Sequence, residues 1–329
     1  MEKKEEKNVN GPGVFMNPLT DVGFKNAFVR NKATTMEFLN VLLEGQESEI
    51  VDLEFLDKEF TRSNRDGRNV IYDLYCRTSD DRHIIIEMQR APQENFRERA
   101  LYYMSRSVVN QGEPGDEWGY ELNAVYGVFL MDFFLEGSEN RKQLRKIKLT
   151  EQGEDHKVFY DKFIMYFVEI PATPKREEDC KTKLDCFTYI LKNMEQMTTL
   201  PFKGWLKTLD ELEETMRLAS MDKEGRELYE HSLKQYRDIK ATLAYYKNRL
   251  AQGYEKGMAQ GYENGMAQGM EEGEAKGRAE GKAEGKAEGE IEGRAAEKRD
   301  TARKLKALNI PVSVIAESTG LTEEEILNL

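Results

Sequence analysis

The stretch Asn69–Arg90, NVIYDLYCRTSDDRHIIIEMQR, places two acids and an amide at spacings that can do chemistry. It reads as two apolar strands folded back over a short polar turn, and a turn centred on Asp80 sets Arg77 opposite His83. The same register sets Asp73 opposite Glu87. Directly opposed side chains on one sheet face have Cβ atoms about 4.5–5.5 Å apart, where two carboxylates repel unless a cation or proton lies between them. Gln89, two residues beyond Glu87, returns to that face. The three side chains are therefore poised to hold a divalent metal; the alternative is two acids solvated on an open sheet face.

Such a hairpin needs a sheet behind it and helices beside it. The segment PLTDVGFKNAFVRNKATTMEFLNVLLEG puts Phe24, Phe28, Phe38, Leu39, Leu42 and Leu43 at three- and four-residue spacings, which predicts two helices. Thr20 or Asp21 caps the first, the break falls at Asn31 to Thr35, and Gly45 ends the second. Ile50 to Phe60 alternates like a strand with one wet face, and Ser63 to Asn69, with Asp66-Gly67, forms the loop before the hairpin. Beyond Pro92, Glu94 to Gln111 reads as a helix with Phe96, Ala100, Tyr103 and Ser107 on one side. Arg99, Tyr102 and Arg106 line another side, as a solvated face or as phosphate contacts. Leu122 to Phe133 is a strand buried on both faces, and 157–170 supplies a further strand. The order is that of an α/β fold with the hairpin in the middle of a mixed sheet.

Composition narrows the function classes. The 329 residues are 33% charged and 39% hydrophobic, so part of the chain is expected as extended helix or disorder. A net charge of −12 opposes broad attraction to nucleic acid and leaves room only for a local basic cleft. Cys76, Cys180 and Cys186 contain no CxxC and fit reduced thiols rather than a zinc framework. His83, His156 and His231 lack metal-ligand spacing. No apolar run approaches the roughly 18 residues of a membrane span, and MEKKEEKNVN has no apolar signal region, so a cytoplasmic protein without membrane contact is expected.

From Lys175 to Leu250 the chain reads as polar helices, with Phe187, Ile190, Leu191, Met194 and Met197 as a packing stripe and bends at Pro201 and Gly225. Ser232 to Leu250 predicts a long amphipathic helix. Eleven glycines then occupy every fourth position from Gly253 to Gly293. Four residues advance a helix by about 400°, so the glycine track drifts about 40° per repeat and leaves no fixed apolar seam. The expectation is a semi-rigid spacer or a self-associating, coiled-coil-like helix that makes the protein a homo-oligomer, since small residues let backbones approach. The C-terminal residues predict three short helices broken at Asn309 to Pro311 and at Gly320, with a Thr322–Glu325 capping box. The layout is similar to a helix-turn-helix, but the acidic last helix favours a protein-binding or self-association module over a DNA reader.

Four pieces in order, TDVGFKNAF, YDLYC, HIIIEMQ and FRERALYY, carry a resemblance. The chain resembles the recombination-promoting nucleases, a transposase-like family within the PD-(D/E)XK nuclease superfamily. The match is strong over about residues 15–135 and looser to about 250. It implies a restriction-endonuclease-like αβββαβ core; together with the residue pattern, the expected division is a disordered leader at 1–13, a nuclease-like domain at 14–172, a helical extension at 173–250, the repeat helix or linker at 251–295 and a small helical module at 296–329. It implies metal-dependent DNA endonuclease activity, connected with recombination or mobile elements. Asp73, Glu87 and the backbone carbonyl of Met88 would hold Mg²⁺ or Mn²⁺, and Gln89 stands where the superfamily usually has lysine. Arg99, Arg106 and Lys25 are the candidate contacts to DNA, with capping and packing the competing explanation for Asp21 and Lys25. A neutral Gln89 can orient water or phosphate but cannot supply lysine's charge. The alternative is therefore a catalytically degenerate nuclease fold acting as a DNA- or protein-binding oligomeric scaffold.

Overall fold

Thr20 begins the first helix, accepting a hydrogen bond at its Oγ1 from the N–H of Gly23 at 3.0 Å, so Thr20 rather than Asp21 is the cap. The computed structural model describes residues 13–45, 48–57, 59–60, 70–113, 118–135, 141–153 and 155–329. The expected leader and the Asp66–Gly67 loop lie outside the described residues, apart from Gly13. Helix α1 (Asp21–Phe24) runs into a π-helical turn at Lys25–Val29, and α2 (Lys32–Leu43) follows. The break therefore comes just before Lys32, earlier than predicted, because Asn31 Oδ1 accepts from Thr34 N–H at 2.9 Å and starts the new helix. Gly45 follows α2 in the left-handed region at φ 73°.

Among the described residues eight strands follow the residue pattern, with three departures. They are β1 (Leu53–Phe55), β2 (Glu59–Phe60), β3 (Val70–Ile71), β4 (Leu74–Thr78), β5 (His83–Gln89), β6 (Val125–Met131), β7 (Leu144–Thr150) and β8 (Val158–Glu169). Six form a mixed sheet in the order β1-β4-β5-β6-β8-β7, with β5, β6 and β8 mutually parallel; β2 and β3 pair separately. The first departure is that Ile50 to Phe60 is not one alternating strand, since Val51 is 71% exposed and only Leu53–Phe55 pairs with β4. The second is that the first arm of the hairpin breaks at Tyr72–Asp73. The third is β7, an edge strand of sequence LRKIKLT that the residue pattern does not announce.

Alternation along β5 divides the core in two. Ile84, Ile86 and Met88 join Leu74, Cys76 and the buried residues of α1, α2, α4 (Lys183–Asn193) and α5 (Leu209–Met216). Ile85 faces the other way, with Tyr72, Tyr75, Phe129 and Phe167, under α3 (Phe96–Val109). At Gly127 an added Cβ would fall 2.5 Å from Met104 Sδ and 2.8 Å from the Phe129 ring, so only glycine lets α3 sit this close to β6. The helix–strand order and the mixed sheet are those of the restriction-endonuclease-like core. All three cysteines are buried free thiols.

The chain divides into two compact units, Met1–Tyr246 and Lys247–Leu329. Helix α6 (Lys223–Ala307) has residues in both. Gly225 lies inside its first turn rather than at a bend, because Asp222 Oδ1 accepts the Gly225 N–H at 2.7 Å and caps the helix. The second unit holds the glycine repeat as helix, then α7 (Val312–Thr319) and α8 (Glu323–Leu327), with Ala302, Ile315 and Ile326 as its buried core. The Thr322–Glu325 capping box is present. No described helix is long and apolar enough to cross a membrane.

Candidate active site

The hairpin register places Arg77 opposite His83 and Leu74 opposite Ile86. There the β4 ladder stops, because the chain bends at Tyr72–Asp73. Tyr72 anchors the bend by donating its hydroxyl proton to the Tyr103 carbonyl of α3 at 2.8 Å. Asp73 then serves β5 with its side chain where a backbone would have paired. Its Oδ2 accepts the Met88 N–H at 2.8 Å, while its own N–H donates to Glu87 Oε1 at 3.1 Å.

Each acid thus spends one oxygen on the backbone and keeps the other. Glu87 Oε2 has the Gln89 amide at 3.5 Å and the Arg99 guanidinium at 4.0 Å; Asp73 Oδ1 has no hydrogen-bond partner among the described residues. Within a strand the N–H and C=O of one residue point to the same side, so the Met88 carbonyl also faces the gap beside Asp73. Burial raises the pKa of Asp73 above the ordinary carboxylate value, against the hydrogen bond from Met88 and the charges of Arg90 and Arg99. Burial and the neighbouring Asp73 charge push Glu87 up to about 8. A Glu87 carboxyl raised that far keeps its proton at neutral pH unless a cation replaces it.

The donor set fits a hard divalent cation. Such an ion commonly takes one or two carboxylates and completes its octahedron with carbonyl, water and substrate phosphate oxygens. No group of three acidic, histidine or cysteine side chains that could hold a metal sits together among the described residues; the two carboxylates and the Met88 carbonyl are the oxygens that could be offered to an ion here.

Arg99 frames the site on the α3 side. Its guanidinium lies 5.3 Å from the centre of the Tyr103 ring and is hydrogen-bonded by Gln93 Oε1. An open cleft of about 710 Å³ begins there, lined by Gln93, Asn95, Arg99, Tyr102 and Tyr103 among others. The other two candidate DNA contacts lie elsewhere. Lys25 pairs with Asp21 at 2.9 Å on the surface, and Arg106 turns inward, half-buried, where its charge acts on the Tyr72 phenol.

Three residues that sequence reasoning missed or undervalued act on the acid pair or on the end of β5 that carries it. Arg90 donates its Nε–H to the Leu19 carbonyl at 2.9 Å, reaches Asp21 at 3.7 Å, and opposes the burial of Asp73 with its charge. Asp21, whose charge raises Asp73, is therefore electrostatically part of the site as well as of the helix start. Asp132 ends β6 and donates its N–H to the Gln89 carbonyl at 2.8 Å. Adjacency to Gln89 is the only sequence signal for Arg90, and Asp132 offers none. No curated protein and no solved structure matches the chain. A family model for PD-(D/E)XK nuclease family transposases matches residues 18–246, a span that takes in the acid pair and the sheet and helices around it, and the chain belongs to that family.

Proposed function

We propose that the protein is a metal-dependent DNA endonuclease, hydrolysing phosphodiesters in the service of recombination or a mobile element. The observation that carries this reading is the buried Asp73–Glu87 pair, which keeps one oxygen of each acid clear of backbone hydrogen bonds beside the Met88 carbonyl. A bound Mg²⁺ or Mn²⁺ supplies an activated water at neutral pH and offsets charge on the phosphate. Asp73 and Glu87 would hold the ion, and Glu87 would lose its proton on binding it. Gln89, 3.5 Å from Glu87 Oε2, orients water or a phosphate oxygen through its amide. Because Gln89 is neutral, Arg99 provides the positive charge at the phosphate, held on Tyr103 and Gln93 at the mouth of the cleft. Purified protein should cut DNA with Mg²⁺ or Mn²⁺, and Asp73→Ala or Glu87→Ala should abolish the cut. Metal-independent DNA binding with no product on prolonged incubation would instead favour the degenerate scaffold.

We propose further that the glycine repeat pairs with a second copy of itself. Tyr254, Met258, Tyr262, Met266 and Met270 are 57–75% exposed, and each directly follows a glycine. An added Cβ at any of the eleven repeat glycines would meet nothing within 4 Å. Each glycine costs about 1 kcal/mol of helix relative to alanine, a cost that close packing on a second backbone offsets. Glu and Lys alternate along Glu280–Glu288, so the track is also self-complementary in charge. A period longer than 3.6 residues makes the stripe wind with a right hand. Replacing Met258, Tyr262 and Met266 by glutamate should lower the solution mass to that of one chain; an unchanged mass removes this role.

A further inference from the structure

The free end of β5 has a backbone ladder on one side only, with the Asp73 carboxylate standing in for a strand at the Met88 N–H on the other. β4 pairs no further than Leu74 with Ile86, so beyond Ile86 the strand beside β5 is β6 alone, aligned up to Gln89 with Met131. The next bond beyond that ladder runs from the Asp132 N–H to the Gln89 carbonyl, at 2.8 Å. The Asp132 carboxylate is 10% exposed and does not face the acid pair. Its Oδ2 accepts from the Tyr236 hydroxyl at 2.7 Å and from Lys240 Nζ at 2.6 Å, both on α6. Burial and the Asp132 charge raise the Tyr236 pKa, which keeps the phenol protonated as a donor.

The same face of α6 grips the chain leading into α1. The Tyr229 hydroxyl accepts the Asn17 N–H at 2.9 Å, and Ser232 Oγ accepts the Val22 N–H at 3.3 Å. Arg237 pairs with Glu195 at 2.6 Å, and Glu195 in turn accepts from the Asn17 amide at 2.7 Å. Between Asn17 and Val22 lie the Leu19 carbonyl that receives Arg90 and the Asp21 carboxylate that bears on Asp73. Residues 229, 232, 236 and 240 recur at three- and four-residue spacing, so one stripe of α6 touches both segments that flank the site.

We infer that Asp132, Tyr236 and Lys240 are positioning residues, fixing the end of β5 so that the Met88 carbonyl and the Gln89 amide stay in place beside Glu87. This rests on the nuclease reading above. It makes the first turns of α6 part of the catalytic scaffold rather than only the base of the tail. Groups that hold a metal-binding backbone or ligand in place commonly change affinity or rate by about 10–100-fold when removed.

The test uses the full-length protein and the variants Tyr236→Phe, Asp132→Asn and Asp132→Ala, with Lys234→Ala on the exposed side of α6 as control. Two readouts are taken: kcat and KM for cleavage of DNA with Mg²⁺, and affinity for Mn²⁺ without DNA. Tyr236→Phe removes one hydrogen bond and no charge, so any effect on Mn²⁺ affinity is positional. We expect Tyr236→Phe to lower kcat about 5-fold and Asp132→Ala about 30-fold at nearly constant KM, with Asp132→Asn recovering much of the loss. Mn²⁺ affinity should fall in the same order. Folded Tyr236→Phe and Asp132→Ala proteins with wild-type kcat and Mn²⁺ affinity overturn the inference. If wild-type protein binds Mn²⁺ but does not cut, the nuclease reading fails and the affinity series still decides the positioning role. If Asp132→Ala does not fold, Tyr236→Phe decides alone.

Discussion

The two ends of the β4–β5 hairpin carry acids in opposite circumstances. At the turn, Asp80 accepts from Thr78 Oγ1 at 2.5 Å, Arg82 Nε at 2.9 Å and Ser48 Oγ at 3.0 Å, and it pairs with Arg82 Nη2 at 2.8 Å. Partial burial acts to raise its pKa, but these hydrogen bonds outweigh it and hold the carboxyl below its ordinary value. At the other end, Glu87 is 4% exposed against 45% for Asp80, its ion pair to Arg99 spans 4.0 Å, and the charge that acts on it most strongly is that of another acid, Asp73. The turn acid is neutralised by its own chain. The buried pair has no such set of partners, which is the contrast the proposed metal site rests on.

That contrast can be broken most sharply by exchanging the substitutions. Asp73→Ala and Glu87→Ala should each lower cleavage by at least about 10³-fold, because the cation's contribution goes with them. Asp80→Asn should leave kcat unchanged, and an equal loss there would erase the distinction. Arg99→Ala should cost about 10²-fold in kcat/KM, the scale of removing one preorganised charge from a transition state. Adding Gln89→Lys to that variant should restore part of the loss, since it returns a cation to the same face.

Stability separates the two ends with opposite signs in metal-free protein. The Glu87 pKa is raised, so its contribution to stability is present at low pH and is lost as pH rises through about 8. Glu87→Gln should therefore melt higher than wild type at pH 8, with the gain fading towards pH 4. The Asp80 pKa is lowered, so its contribution is present above the unfolded value and lost as pH falls through the folded one. Asp80→Asn should cost about 1 kcal/mol at pH 7 and less in acid. Thermal melts of both variants across pH check the two signs together.

The register that sets Arg77 opposite His83 was legible because a polar turn between two apolar runs leaves few ways to pair them, but the ladder ends at Leu74 with Ile86, and Asp73 reaches Glu87 and Met88 through side-chain hydrogen bonds instead of as a register partner. The bend at Tyr72–Asp73 was not, because it depends on the Tyr103 carbonyl of a helix that follows later in the chain. β7 escaped notice because an edge strand bearing Arg145, Lys146 and Lys148 has no apolar run. Gly225 could have been placed in a helix from Asp222 three residues earlier, a capping signal present in the sequence. Nothing in the sequence joins Asp132 to Tyr236, since 104 residues separate them and both residue types are common on helices and loops.

The claim that the buried pair awaits a cation is tested most directly by titrating Mn²⁺ into metal-free protein at pH 7 in buffers of different ionisation enthalpy. A Glu87 that keeps its proton until a metal displaces it predicts that close to one proton is released per ion bound, and that Glu87→Gln binds far more weakly. Binding of equal strength by Glu87→Gln, or binding that releases no proton, would contradict it.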